Sequence, residues 1–377
     1  MDFALSQDQE SLVGLARQIL EDHATPDRLK AIEEGSTGLD RELWTALSEA
    51  GLIGASLPTE HGGTGFGFFE LCLVLEEIGR TVAPVPAWAT LVLGALPIAR
   101  FGNDTLRARW LPDVVKGQVL LSGALEEPDS DDPLLPSTLA EADGSDWRLS
   151  GAKLPVPIAD CAERVLVSAR TGDGRAGLFL VDPGAAGVHL DSIRLTTRQP
   201  SFRMTLEGAR VAECLAHPDD AAAAASLAWT VERATTALCA MLVGVADRAL
   251  RMTAEYTTGR KQFDRPIGSF QAVHQRAADA YIDVEAMRLT LWQAAFRLAR
   301  EEPASNEVAV AKFWASEGGD RVTYAAQHLH GGIGVDLDYP VHRYYLWARQ
   351  LGLALGSSAS QIERLGDALA SAPPAVG

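Results

Sequence analysis

The chain has 377 residues, 47% of them hydrophobic and 22% charged, enough for two or three domains with real cores and unlike a disordered polypeptide. Its net charge is -17 and its sequence pI is near 4.9, with no run of lysines or arginines, so nucleic acid is not an expected partner. Cys72, Cys161, Cys214 and Cys239 lie far apart without a CxxC, which offers neither a disulfide framework nor a zinc site, and no metal is expected. No basic leader and no window of about 18 uncharged apolar residues occur, so a cytoplasmic chain with no membrane partner is expected.

Residues 1–118 read as a helical domain. It opens with Ser6 and Gln9 in capping-box spacing, followed by Leu12, Leu15, Ala16, Ile19 and Leu20 at helical intervals. Gly62, Gly63, Gly65 and Gly67 form a loop ahead of a helix carrying Leu71, Val74, Leu75 and Ile78. No strand precedes this loop, so a tight interhelical turn is favoured over a phosphate cradle. Residues 119–218 change texture: "RVLVSAR", "AGLFLVD", "GVHLDSI" and "SFRMTLEGARVA" are short strand patterns separated by Gly, Asp and Pro. Long helical periodicities return over residues 219–377, first through Ala237, Leu238, Met241, Leu242 and Val245, then through Val273, Ala277, Tyr281 and Val284. The expected fold class is α+β: an N-terminal helical domain, a middle β-barrel or sandwich, and a C-terminal four-helix bundle.

Between those two long helices stands "RKQFDRPIGSFQAVHQRAAD", with guanidiniums, an aromatic ring and a glutamine on a sharp turn. This segment resembles a turn of the acyl-CoA dehydrogenase family. "WTALSEAGLIGASLPTEHGGTGFG", "GALEEPDSDD" and "LHGGIGVDLDYPVHRYYLWAR" are similar to three further landmarks of that family, in the same order, so the resemblance spans nearly the whole chain. It implies FAD as cofactor, with the flavin against the middle domain and the ADP half held by a neighbouring subunit. Carried over, Arg260, Gln262, Phe263 and Gln271 contact pyrophosphate and adenosine, and Gly331 and Gly332 let the backbone approach them. His328 stands where the family usually has glutamine.

The resemblance also implies α,β-dehydrogenation of an acyl-CoA thioester, with electron transfer flavoprotein or a similar acceptor downstream. A desolvated glutamate is needed to take the α-proton. The family's usual position for it, near the C-terminus, falls in "LGSSAS" at or beside Ser357. A minority position, directly before an arginine on the first long C-terminal helix, falls on Glu232, the candidate base. The macrodipole also favours a merely capping or pairing glutamate at such a place.

The flavin-facing segments depart from the family as well. Glu126 replaces a threonine, Asp129, Asp131 and Asp132 occupy a glycine-serine stretch, and Pro155 and Pro157 follow Lys153 where tryptophan and threonine are usual. The losses lie on this chain's own flavin face, while the adenosine-side turn is kept. The favoured expectation is therefore a subunit of a heteromeric acyl-CoA dehydrogenase, an α2β2 assembly with a homologous chain, resembling those that act on sterol side chains. Two alternatives stay open: a self-sufficient homotetramer with Glu232 as base, and a flavin-free acyl-CoA-binding or scaffold protein.

Overall fold

In the computed structural model of the chain, residues 4–35, 37–130 and 132–371 are described. Helix α1 (Gln7–His23) starts where the capping box predicts: Gln9 donates its backbone N–H to the Ser6 hydroxyl, and the Gln9 side chain accepts from the Ser6 backbone at 2.9 Å. It is followed by α2 (Pro26–Glu34), α3 (Arg41–Glu49), α4 (Phe68–Thr81), a buried π-helical segment Trp88–Ala95, α5 (Leu96–Phe101) and α6 (Asp104–Val115). The glycine loop before α4 is a packed turn. A side chain on Gly63 would lie 2.0 Å from the Leu57 carbonyl, and the N-terminus of α4 is taken by the chain's own Glu70, which accepts from Gly67 at 2.8 Å.

The middle sheet contains β1 (Leu121–Ala124), β2 (Leu139–Asp143), β3 (Asp146–Pro157), β4 (Arg164–Arg170), β5 (Ala176–Val181), β6 (Val188–Ile193), β7 (Ser201–Val211) and β8 (Glu213–Ala216). Its order is β6-β7-β3-β2-β4-β5-β8, with β1 parallel to β4. Trp147, Val165, Val167, Phe179, Val181 and Met204 form the sheet's own core. Leu166, Leu178 and Leu180 join the core shared with the helices. Strands β4 and β5 are therefore covered on both faces, which is why "RVLVSAR" and "GLFLVD" read as continuous apolar runs rather than alternations.

The C-terminal layer is α7 (Ala223–Gly259), a ribbon of β9 (Lys261–Gln262) and β10 (Arg265–Pro266), α8 (Gln271–Ala299), α9 (Ser305–His330), α10 (Val341–Leu353) and α11 (Ser358–Ser371). Helices α4 and α7 pack backbone to backbone. A Cβ on Gly79 would meet the Met241 carbonyl at 2.0 Å, and one on Gly244 would meet the Glu76 carbonyl at 1.9 Å. At this crossing Glu76, Glu77 and Asp247 are buried against Arg80, Arg288 and Arg17, an ionic network that joins α1, α4, α7 and α8. Among the described residues no helix is long and apolar enough to cross a membrane.

Candidate cofactor surface and catalytic cleft

The turn between α7 and α8 is built for exposure. Phe263 and Asp264 both have positive φ, 54° and 64°, so the two-residue loop closes a tight hairpin between Gln262 and Arg265. That geometry turns Phe263 outward, where it is 86% exposed, and Arg260, Gln262 and Gln271 lie exposed beside it. The turn is nevertheless firmly seated. Ile267 donates its backbone N–H to Arg260 O at 2.8 Å, and the Arg265 guanidinium lies 4.1 Å from the centre of the Phe270 ring. A large aromatic ring left in water on a braced turn is a surface waiting for a partner or ligand rather than a core residue misplaced.

The glycine motif lies at the same end of the bundle. His330 ends α9 and stacks on Tyr256 near the end of α7, with ring centres 4.4 Å apart. Its Nδ1 faces the Ala326 carbonyl at 2.7 Å, and its buried Nε2 has no partner among the described residues. Gly331 follows with φ 62° and ψ -140°, a conformation essentially reserved for glycine, and side chains built on Gly331 or Gly332 would meet nothing within 4 Å. One helix turn back, His328 Nδ1 is 2.9 Å from Arg276 of α8. Arginine is only a donor, so Nδ1 accepts and Nε2 carries the proton. The predicted residues Arg260, Gln262, Phe263, Gln271, His328, Gly331 and Gly332 thus gather on one end of the bundle, with an open glycine backbone, donors and an aromatic face. This set fits the ADP half of a FAD held from the outside.

The cleft between sheet and bundle has the opposite character. Glu126 follows β1, is half-buried, and accepts from the Leu355 backbone N–H at 2.9 Å across the domain junction. The loss of water around its carboxyl pushes that group up to about 7, against the opposing pull of that hydrogen bond and of Lys312. Lys312 is itself buried in α9 and donates to Leu351 O and Gly352 O at 2.6 and 3.0 Å, capping the end of α10. Burial lowers its pKa to about 8. Asp132 pairs with Arg364 of α11 at 2.7 Å, so the loop after β1 is fastened to the C-terminal helices at two points. Asp131 lies outside the described residues, and Asp129 is exposed.

Sequence reasoning missed what Lys153 does. Its ammonium donates to Glu127 at 2.7 Å and to Ser168 Oγ at 3.0 Å, all buried. Glu127 also accepts from the backbone N–H groups of Ser137 and Thr138 at 2.6 and 2.9 Å. Burial alone would raise the Glu127 carboxyl, but the charge and hydrogen bond of Lys153 outweigh it and hold the group at about 2. The signal was present: a lysine inside a strand, with a glutamate in the segment between β1 and β2. Pro155 sits where the pairing of β3 with β7 shifts register between Lys153 and Val156, which accommodates its missing N–H. An acid at Glu126 and prolines at Pro155 and Pro157 offer a flavin ring fewer donors than the hydroxyls and indole of the family pattern, so the residues present fit a flavin poorly here.

The candidate base is placed elsewhere. Glu232 is half-buried on α7 and accepts from the Ser305 hydroxyl at the start of α9. Its neighbour Arg233 is buried, donates to Leu298 O at 2.8 Å, pairs with Glu301 at 2.9 Å, and lies 3.8 Å from the centre of the Trp229 ring. The two residues thus bind α7 to the α8–α9 connection. Among the described residues Glu232 shares no hydrogen bond or ion pair with Glu126 or Ser357. Ser357 faces Ser360, with the hydroxyls 3.3 Å apart.

N-terminal helices, a middle sheet domain and a C-terminal helical domain in this order define the acyl-CoA dehydrogenase fold. Residues 6–118 match the model of the acyl-CoA dehydrogenase N-terminal domain and residues 223–370 that of the C-terminal domain, so the chain belongs to the acyl-CoA dehydrogenase family, oxidoreductases acting on CH–CH groups. It is 39% identical to the acyl-CoA dehydrogenase FadE27 of Mycobacterium tuberculosis, covering 99% of this chain and 100% of that one. Two solved structures are similar throughout. One is a variant of the Tcur3481-Tcur3483 steroid acyl-CoA dehydrogenase, with 46% identity, a TM-score of 0.91, and 97% and 98% of the two chains covered. The other is the ChsE4-ChsE5 complex of Mycobacterium tuberculosis, with 40% identity, a TM-score of 0.93, and 99% and 100% covered.

Proposed function

We propose that this chain is the cofactor-completing subunit of a heteromeric acyl-CoA dehydrogenase, paired as α2β2 with a homologous chain that holds the flavin ring and the base. The observation that carries this reading is the contrast within one molecule: Glu126, in the loop that the resemblance sets against the flavin, is held by the Leu355 N–H, while Arg260, Gln262 and Phe263 stand exposed. Similarity to the ChsE4-ChsE5 complex and to the Tcur3481-Tcur3483 steroid enzyme supports a second chain and a bulky sterol side-chain thioester as substrate.

In this assembly Arg260 would meet the pyrophosphate, Phe263 would cover the adenine face, His328 would donate from Nε2, and Gly331 and Gly332 would let the protein backbone approach the adenosine. The chemistry FAD would supply when bound is acceptance of the β-hydride, with electron transfer flavoprotein or a similar protein as the downstream acceptor. This chain's residues bind and orient, and they leave proton abstraction to the partner.

The test is co-expression with a homologous partner chain, followed by native mass and flavin absorbance. One FAD per pair of unlike chains is expected, and Arg260→Ala should weaken FAD retention by about tenfold or more, the cost of a lost charge-assisted hydrogen bond. Stoichiometric flavin and dye-coupled turnover by this chain alone would overturn the reading.

A further inference from the structure

Away from both regions, an open cavity of about 980 Å³ lies where all three layers meet. Its walls come from the β6–β7 hairpin, from Glu33 at the end of α2, from Asp160 after β3 and from Leu346 of α10. The volume is near the upper end for small-molecule sites and far more than a simple ion needs. The hairpin wall is fixed in place, because Thr196 donates its hydroxyl to Leu346 O at 2.9 Å.

The charge on these walls is unusual for a chain of net charge -17. Arg194 is exposed into this region and makes no hydrogen bond or ion pair among the described residues. Arg198 stands four residues on, with only a long contact of 3.9 Å to Glu33. Glu33 is already neutralised by both arms of Arg343, at 2.7 and 3.0 Å. Asp160 is the other acid on the wall, so the guanidiniums are left in excess.

The backbone adds an independent sign. Arg198 has φ 60°, a left-handed conformation that strains a residue carrying a β-carbon. It is held there by its N–H to Leu195 O at 3.1 Å. Glycine would serve the turn without strain, whereas the arginine found here bears a local cost. Half-buried Phe202, two residues beyond Pro200, offers an aromatic face on the same wall.

We propose that this cavity binds a nucleotide-sized phosphate ester, with Arg194 and Arg198 on the phosphate and Phe202 against the planar base. Guanidinium forks suit phosphate oxygens, and the remaining volume with its aromatic wall suits the base and sugar. The site is separate from the Arg260 turn and does not depend on the heteromer reading.

The test is calorimetric titration of ADP into the enzyme assembled with its homologous partner chain and saturated with FAD, so that the Arg260 surface is already occupied. ADP should bind, and Arg194→Gln and Arg198→Gly should each weaken it by about tenfold or more, with FAD content unchanged. Arg194 is exposed and unpartnered among the described residues, and glycine accepts the Arg198 backbone, so neither variant should disturb folding. Absence of ADP binding, or affinity unchanged in both variants, would overturn the site. Inorganic phosphate binding as tightly as ADP would overturn its nucleotide size. Arg260→Ala should reduce FAD content without touching ADP affinity at this cavity, which separates failure of this proposal from failure of the proposed function.

Discussion

The junction around Glu126 and Glu127 and the α7–α8 turn both carry charged and polar side chains, but they use them in opposite ways. In the cleft, Glu127 receives Lys153 and the N–H groups of Ser137 and Thr138, and Glu126 receives Leu355 N–H. On the turn, Arg260, Gln262 and Gln271 are exposed and Phe263 is 86% exposed. A polar group buried without a partner costs about 1–3 kcal/mol, so a cleft that has lost its ligand must satisfy itself from within. A surface that waits for a ligand can leave its donors to water. Self-satisfaction on one side and exposure on the other are what the proposed division of labour requires, with the flavin held by the partner chain and the ADP half met by this one.

The largest expected effect lies in the cleft. Lys153→Ala removes the cation from a fully buried pair and leaves Glu127 charged, which should cost roughly 3–5 kcal/mol in urea unfolding. A loss under about 1 kcal/mol would mean that water reaches the pair and that the cleft is open rather than closed. Next comes Glu126. Its carboxyl is pushed up from 4.5 to about 7, so the folded state holds the proton more tightly than the unfolded chain does. The associated stability is fully present below about 4.5 and is lost as pH rises through about 7. Between those limits the wild type should lose on the order of 3 kcal/mol relative to Glu126→Gln, which has no proton to release there. Parallel stability curves for the two proteins would place Glu126 in water.

Sequence patterns reached the layer order because the helical periodicities of α1 and α7 and the short apolar runs of β4 and β5, buried on both faces, each match one kind of element. They reached the exposed turn too, because Gly259, Pro266 and Gly268 mark a sharp reversal whatever surrounds it. The interior of the cleft was out of reach. The contact of Glu126 with Leu355 spans 229 residues, and Lys312 looks like an ordinary helix lysine until the ends of α9 and α10 are brought together. Arg194 and Arg198 were equally silent, since a cavity at a three-layer junction has no local periodicity. The departure of Glu126 from the family pattern is visible in the sequence, but the closure that this residue makes with Leu355 belongs to tertiary structure.

A smaller effect is expected on the turn. Phe263→Ala should leave thermal stability unchanged, because so exposed a ring buries little in the isolated chain. In the assembled enzyme it should weaken FAD retention by about 1 kcal/mol, the scale of a stacking contact. A fall in melting temperature of the isolated chain would instead make Phe263 part of its own packing and remove it from the ligand surface.

The smallest effect is assigned to Glu232, and it separates the two readings of the family resemblance most cleanly. In a self-sufficient enzyme this carboxylate takes the α-proton, and Glu232→Gln abolishes turnover, since an amide cannot accept that proton. In the heteromer its role is to take the Ser305 hydroxyl at the start of α9, while neighbouring Arg233 holds the α8–α9 connection through Leu298 O and Glu301. A glutamine keeps an acceptor oxygen in that place and loses only the charge, for a cost of about 1 kcal/mol or less in stability. Turnover of the assembled enzyme should then stay within about twofold of wild type, the size expected when no bond to the reacting atoms has changed. Loss of turnover with the fold and FAD content intact would return the base to this chain and make the closed cleft a resting arrangement rather than a retired one.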